Sequence, residues 1–175
     1  MKQVMDNIAI EQSLRGDPEA FEILVKKYQA SLIALTWNIV GDPDEARDMA
    51  QETFIQVYTH LERFDRTRNF KTWIFSIAVK RSIDRIRKKK SFLKYFNTQT
   101  KEMKPVEERK NKRIEESDIF YPLLKKLKHK ERVAISLKVN EGFSAKEIAE
   151  VIKCSESTAR VHIFNAKKKL KELIG

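Results

Sequence analysis

Four clusters of side chains in this 175-residue chain carry enough charge or π surface to act on another molecule. The first crowds carboxylates into a short stretch: Asp42, Asp44, Glu45, Asp48 and Glu52. Carboxylates at that density can hold a metal, work as acid and base, or present a negative face to a protein. A metal centre lacks a histidine at the right offset, and hydrolytic chemistry lacks a nucleophile and a glycine loop to cradle phosphate. Glu45, Asp48 and Glu52 fall on one helical face beside Ile55, which suits protein docking. Dipole stabilisation at a helix N-terminus accounts for Asp42 to Glu45 but not for Glu52.

The second cluster, Phe64-Asp65-Arg66-Thr67-Arg68-Asn69-Phe70-Lys71-Thr72-Trp73, interleaves rings with cations. Unpaired bases stack on rings while Arg and Lys hold their phosphates, so this composition suits a single nucleic-acid strand. The same rings also suit a core, and for Trp73 the core is the better reading. The third cluster, Lys80 to Tyr95, holds eight basic residues against one acid, Asp84. It can track phosphates or simply form a solvated face.

The fourth cluster is written in capping signals. Gly142 ends one helix, Ser144 and Glu147 form a capping box for a short helix ending near Ile152, and Lys153-Cys154-Ser155 makes a tight connection. Ser155 then caps a last helix that turns Ala159, Ile163, Ala166 and Leu170 inward, and small Ala149 permits a close helix crossing. This pattern predicts a DNA-binding helix-turn-helix whose second helix enters the major groove. Ser157, Thr158, Arg160, Val161, Phe164 and Asn165 lie at or near its exposed side, where they offer hydrogen bonds and an apolar contact for a thymine methyl. Lys167, Lys168, Lys169 and Lys171 add nonspecific attraction. A helical hairpin with a basic, solvated face is the alternative, and His162 reads as packed or solvated rather than facing the groove.

Composition frames these clusters. Lys and Arg number 36 against 25 Asp and Glu, a net charge of +11 that implies a polyanionic partner. The single cysteine excludes an internal disulfide, and three scattered histidines give no metal-ligand spacing, so neither metal nor cofactor is expected. No apolar run reaches the roughly 18 residues of a membrane span, and the first residues lack a signal-peptide pattern, so a cytoplasmic protein without membrane insertion is expected.

Four glycines, four prolines and 35% charged residues favour long helices and an all-α fold. Gly16-Asp17-Pro18 and Gly41-Asp42-Pro43 each predict a break, with glycine closing one helix, Asp capping the next and Pro in its first turn. Glu45 follows Asp42 at capping-box spacing. Apolar residues recur at helical steps from Phe21 to Ile39, from Met49 to Leu61, and from about Phe70 until the pattern dissolves in Arg87 to Lys90. With a short helix over residues 6–14 they make one unit, residues 1–92. Residues 93–112, with Asn97, Thr98, Gln99, Thr100 and Pro105, read as a linker. Residues 113–175 form a second unit, with helices over Ile114 to Leu127 and Lys130 to Asn140 before the helix-turn-helix.

In order, these segments resemble extracytoplasmic-function sigma factors, all-helical initiation factors of bacterial RNA polymerase. Gly16-Asp17-x-x-Ala20-Phe21 with Tyr28 is similar to region 2.1, and Asp48-x-x-Gln51-Glu52-x-Phe54-x-x-x-Tyr58 to region 2.2. Phe70-x-Thr72-Trp73-x-x-x-Ile77-Ala78 with Asp84-x-x-Arg87 is similar to regions 2.3 and 2.4, and the last unit resembles region 4. The resemblance implies that Asp48, Gln51, Glu52, Phe54 and Ile55 dock the clamp helices of the polymerase β′ subunit. It implies that Phe64, Asp65, Arg66, Thr67, Arg68, Asn69, Phe70 and Lys71, with Lys80, Asp84 and Arg87, hold the unpaired minus-10 strand of promoter DNA. Ser155, Ser157, Thr158, Arg160, Val161, Phe164, Asn165 and Lys168 would read the minus-35 duplex, while region 4 also touches the β flap. An anti-sigma factor covering both DNA-binding units is expected.

Some positions depart from the family pattern. Lys80 stands where many members have Asn, Asn165 where many have Arg, and the linker is rich in lysine. Ser76 and Ile77 stand where housekeeping sigma factors carry paired tryptophans, which implies that promoter melting depends more on a good promoter. A LuxR-type regulator also fits Thr158 to His162 with Lys169-Leu170. It leaves the first 112 residues without a role, since they lack the alternating strands and helices of a phosphoacceptor domain.

Overall fold

The computed structural model describes residues 2–99 and 120–174, and their regular structure is helical throughout. The first group comprises α1 (Lys2–Leu14), α2 (Pro18–Val40), α3 (Pro43–Thr59), a 3-10 turn (Leu61–Arg63) and α4 (Phe70–Gln99). The two expected breaks form as the sequence dictates. Asp17 accepts the amides of Glu19 and Ala20 at 2.9 and 3.3 Å, and Asp42 those of Asp44 and Glu45 at 3.0 and 2.8 Å. The capping box at Asp42 forms only by half, because the Glu45 carboxylate turns instead to Lys89 of α4 at 3.2 Å.

Helix α2 is the axis of the fold, flanked by α1, α3, α4 and α6. It buries Leu24, Tyr28, Leu32, Leu35 and Ile39 against Val57 of α3 and Phe70, Ile74, Phe75, Ala78 and Val79 of α4. The Thr36 hydroxyl reaches the Ala46 carbonyl at 2.9 Å, tying α2 to the first turn of α3 without an orphaned polar group. One boundary differs from expectation: α4 continues to Gln99, so residues 93–99 are helical rather than linker. The lysine run ends the core contact but not the helix, since Lys, Arg and Leu are good helix formers and no breaker intervenes. The remainder of the expected linker, residues 100–112, lies outside the described residues.

The second group comprises α5 (Phe120–Lys125), α6 (His129–Glu141), α7 (Ala145–Ile152) and α8 (Glu156–Ile174). Of the helix expected over Ile114 to Leu127, only the part from Phe120 is described. The Ser144 box closes in both directions, with Glu147 N–H donating to Ser144 Oγ at 3.2 Å and Ser144 N–H to Glu147 Oε2 at 2.8 Å. Lys153 takes the left-handed turn (φ 51°), and Ser155 Oγ caps α8 through the Thr158 amide at 3.1 Å. Ala149 and Ala159 are buried where α7 crosses α8, as their size predicts.

The two groups share a seam, α2 against α6 and α4 against α7. Phe75 meets Phe143 with ring centroids 5.3 Å apart, Asn38 donates to Ser136 Oγ at 3.3 Å, and Arg132 donates to the Ile39 carbonyl at 3.3 Å. Tyr121 lies over Gly41, where a Cβ would fall 1.6 Å from its hydroxyl. His129 sits at the same seam. Burial, reinforced by the charges of Arg132, Lys90 and Arg87, lowers its pKa from the ordinary 6.5 to about 4.

Two outcomes follow from the seam. Gly41→Ala and Gly142→Ala both force a left-handed alanine, at φ 79° and 70°, which costs ~1–2 kcal/mol and ~2–8 °C in Tm. Gly142 has open space and Gly41 does not, so Gly41→Ala should melt lower, and the excess should vanish in a Tyr121→Ala background. Between pH 6.5 and about 4 the unfolded chain binds a proton at His129 that the folded chain refuses. Stability should therefore fall as pH drops through that window, and thermal melts of His129→Gln should show a shallower decline.

Candidate nucleic-acid interface

The loop before α4 is a rigid turn. Asp65 Oδ1 accepts both the amide and the hydroxyl of Thr67, at 2.9 and 2.7 Å, and the hydroxyl bond, then the amide bond, lower the Asp65 pKa. Asn69 Oδ1 caps α4 through the Thr72 amide at 3.2 Å. Asp65, Arg66, Thr67, Arg68 and Asn69 are thereby exposed on fixed backbone. The flanking rings behave differently from the expectation that they meet DNA. Phe64 and Phe70 are buried, 5.3 Å apart, with Trp73 4.9 Å from Phe64 and Tyr28 5.8 Å from Phe70. Rings this deeply buried among other rings offer no open face to a base, so Phe64 and Phe70 back the loop from the core.

The cations of this cluster divide into two sets. Arg66 is exposed on the turn, and Lys80 and Arg87 are exposed along α4, with Asp84 3.8 Å from Arg87. Lys71 instead donates to the Glu141 carboxylate at 2.9 Å and to its carbonyl at 3.1 Å, and Arg68 reaches Glu150 at 3.3 Å.

On α3, Asp48, Gln51 and Ile55 are exposed, the last by 57%. The carboxylate patch is less negative than the sequence suggests, because Glu52 pairs with Arg81 at 3.0 Å and Glu45 with Lys89. Phe54 is buried, but it lines an apolar groove of about 640 Å³ between α2 and α3 with Phe21, Val25, Ile55 and Tyr58. Phe21 and Tyr58 carry core-face spacing and the family resemblance in the sequence, but neither is among the expected contact residues. The signal that could have found them is an aromatic four residues after Phe54 and next in register to an exposed Ile55.

Helix α8 presents Ser157, Thr158, Arg160, Val161, Phe164 and Lys168 to solvent, while Asn165 is half-buried. Ser155, Ser157 and Thr158 join hydroxyls at 2.9 and 2.7 Å, and Arg160 pairs with Glu156 at 2.6 Å. Val161 and Phe164 are 53% and 66% exposed, a turn apart, an apolar edge that a soluble helix does not need for its own packing. His162 is half-buried, with its pKa lowered by burial and by Lys130, as its packed reading requires. The angle of α8 is fixed by Glu131, a buried carboxylate that accepts Lys169 at 2.8 Å and the Lys128 amide at 3.0 Å. Burial alone would raise the Glu131 pKa, but those bonds and the lysine charges bring it below the ordinary value.

Among the described residues no group of His, Cys, Asp and Glu could hold a metal ion, and no helix is long and apolar enough to cross a membrane. Residues 24–92 match the family model for sigma-70 region 2, and residues 117–170 match that for sigma-70 region 4. The chain is 30% identical to the ECF RNA polymerase sigma factor SigW of Bacillus subtilis, over 97% of each chain. It is 32% identical to the RNA polymerase sigma-H factor of Pseudomonas aeruginosa, covering 95% of this chain and 92% of that one. Its fold is similar to that of CnrH, solved in complex with the cytosolic domain of CnrY, with a TM-score of 0.75 and 24% identity over 97% of each chain. It is also similar to the sigma factor RpoE of Bartonella quintana, solved with the anti-sigma factor NepR. That match has a TM-score of 0.74 and 23% identity, covering 88% of this chain and 96% of that one. Both halves match sigma-70 regions, which gives the first 112 residues the role that the LuxR-type reading leaves empty.

The burial pattern separates scaffold from contact. Phe70→Ala should cost ~3–5 kcal/mol of stability, as a buried ring does. Arg66→Ala should leave the melting curve within ~0.5 kcal/mol yet weaken binding of a labelled single strand by the protein assembled with core polymerase, measured by anisotropy.

Proposed function

The chain belongs to the extracytoplasmic-function RNA polymerase sigma factors of the sigma-70 family, and on that premise we propose how its two halves divide the work. A sigma factor binds core polymerase and directs initiation at promoters that carry minus-10 and minus-35 elements. Residues 1–92 make the first working unit, which docks core and holds the minus-10 strand. Residues 113–175 make the second, which reads the minus-35 duplex. The observation that carries this division is the order of the matches: region 2 falls on the half with the exposed α3 face and the Asp65 turn, region 4 on the helix-turn-helix.

Asp48, Gln51 and Ile55 meet the β′ clamp helices, with Phe54 and Tyr58 shaping the groove beneath them. Arg66, Thr67, Asn69, Lys80 and Arg87 hold the unpaired strand, joined by Arg68 and Lys71. On α8, Arg160 supports a bidentate base contact, Ser157 and Thr158 support phosphate contacts, and Val161 with Phe164 support an apolar contact to thymine methyls. The complex of the similar sigma factor RpoE with the anti-sigma factor NepR supports such a partner here. The protein acts where the polymerase is, in the cytoplasm, and carries no catalytic chemistry of its own.

Run-off transcription with purified core polymerase and genomic fragments tests this reading. New start sites are expected only when the protein is added, and their absence overturns it. Ile55→Glu should weaken core binding at least about tenfold, the loss of one hot-spot residue. Arg160→Ala should spare core binding but reduce initiation ~5- to 100-fold at promoters with an intact minus-35 element.

A further inference from the structure

Helix α4 outruns the bundle it belongs to. Every residue from Arg87 to Phe96 is exposed, which is about 15 Å of helix with no core behind it. Its composition is not that of a solvated stalk. Phe92, Leu93, Tyr95 and Phe96 are 46% to 63% exposed, large apolar side chains crowded into a little more than one turn. The rings of Phe92 and Phe96 lie 4.5 Å apart, and those of Tyr95 and Phe96 6.0 Å. A contiguous apolar patch at the surface of so charged a chain marks a place where another molecule binds. Cations frame it. At about 100° per residue, Arg85, Lys88 and Lys89 stand a turn or two earlier on the arc that carries Phe92, Tyr95 and Phe96, while Lys90 and Lys94 stand on the opposite side. Lys89 pairs with Glu45, whereas Arg85, Lys88 and Lys90 form no ion pair among the described residues.

A nucleic-acid strand fits this pattern poorly. Bases stack on open ring faces, whereas Phe92 and Phe96 stand against each other, and Leu93 offers a base nothing. A protein partner fits poorly too, because the core of a protein interface is depleted of lysine, and here lysines interleave with the apolar side chains. An anionic bilayer takes both features at once. Headgroup phosphates meet the ammoniums, and the rings and Leu93 enter the boundary between headgroups and acyl chains. The lysines on the far side reach back to the headgroups along their own apolar stems. Among the described residues no helix is long and apolar enough to cross a membrane, and a helix lying at the surface of one needs no such length.

We propose that the projecting end of α4, residues 85–96, is a docking surface for an anionic lipid bilayer, on which the protein adsorbs reversibly with its aromatic edge at the headgroup boundary. Each cation held near such a surface raises affinity about fivefold. A few partly exposed apolar side chains give only weak binding by themselves. Adsorption therefore needs both the rings and the lysines, and it weakens as salt screens the lysines.

The test is co-sedimentation of the full-length protein with vesicles of phosphatidylglycerol and phosphatidylethanolamine, and with vesicles of phosphatidylcholine alone. The anionic vesicles should bind at least about tenfold more tightly than the neutral ones. Phe92→Ser with Phe96→Ser removes two rings and keeps every charge, and because both positions are exposed its melting curve should overlay that of the wild type. This variant should lose at least about tenfold in affinity for the anionic vesicles, and so should Lys88→Gln with Lys90→Gln at low salt. Failure of the wild type to bind anionic vesicles overturns the proposal. Equal binding by the ring variant also overturns it, since adsorption would then follow from the net charge of +11 alone. In that case, loss of affinity for a mixed-sequence single-stranded oligonucleotide, or of run-off initiation, by the ring variant names the strand or the polymerase as the occupant instead.

Discussion

The geometry of the first half is referenced to the buried ring of Tyr28. Its hydroxyl donates to Asp6 of α1 at 2.6 Å, and its ring packs on Phe70 and Phe75 of α4 at 5.8 and 6.5 Å. Asp6, itself buried, is neutralised by Lys27. Burial, the Asp6 bond, and the charges of Asp6 and Glu141 all push the Tyr28 phenol upward, which favours the protonated, donating form. One side chain of α2 thus sets the distance of α1 and the start of α4. The start of α4 sets where Phe70 lies, and Phe70 with Phe64 sets where the Asp65 turn stands. Exposed contact residues are accurate only when the shell behind them is locked, and here that shell is aromatic and buried.

A chain with a net charge of +11 has few carboxylates to spare, and their placement matters more than their number. Glu45, Glu52, Glu141 and Glu150 all face cations of α4 or the loop before it. Such pairs contribute little stability where exposed. Their effect is to fix long side chains and lower self-repulsion along a helix that carries eight basic residues from Lys80 to Tyr95. Because Glu45 and Glu52 are committed to α4, what α3 offers outward is a mixed face: Asp48 and Gln51 rimming an apolar groove. That mixture resembles a protein interface more than a purely acidic patch does.

What the sequence declared clearly was local. Asp17, Asp42, Ser144 and Ser155 cap helices because a cap needs only a neighbouring amide and a short polar side chain, all within a few residues. Ala149 marked the crossing of the last two helices for the same reason. The rings of Phe64 and Phe70 could not be assigned locally, since an aromatic among cations has the same spacing whether it stacks on a base or on another ring. The deciding partner, Tyr28, lies far away in the chain. The end of α4 differs from expectation because loss of an apolar stripe is not loss of helix, and the helix continues to Gln99. The seam was invisible for the first of these reasons: nothing near Phe75 or Glu141 announces Phe143 or Lys71.

The two candidate DNA-reading elements are held in different ways. Helix α8 takes its angle from the Lys169–Glu131 pair and from Ala166 packed with Ile135, all within its own half. The Asp65 turn keeps its shape through its own hydrogen bonds, but two of its neighbouring cations answer to the other half. A duplex reader needs only to be rigid, because the groove it enters already exists. A strand reader meets its target only after the duplex has opened, so cations bared earlier would bind any nucleic acid at hand. Lys71 and Arg68 are paired across the seam, whereas Asp48, Gln51 and Ile55 of α3 and Arg160 and Phe164 of α8 stay exposed.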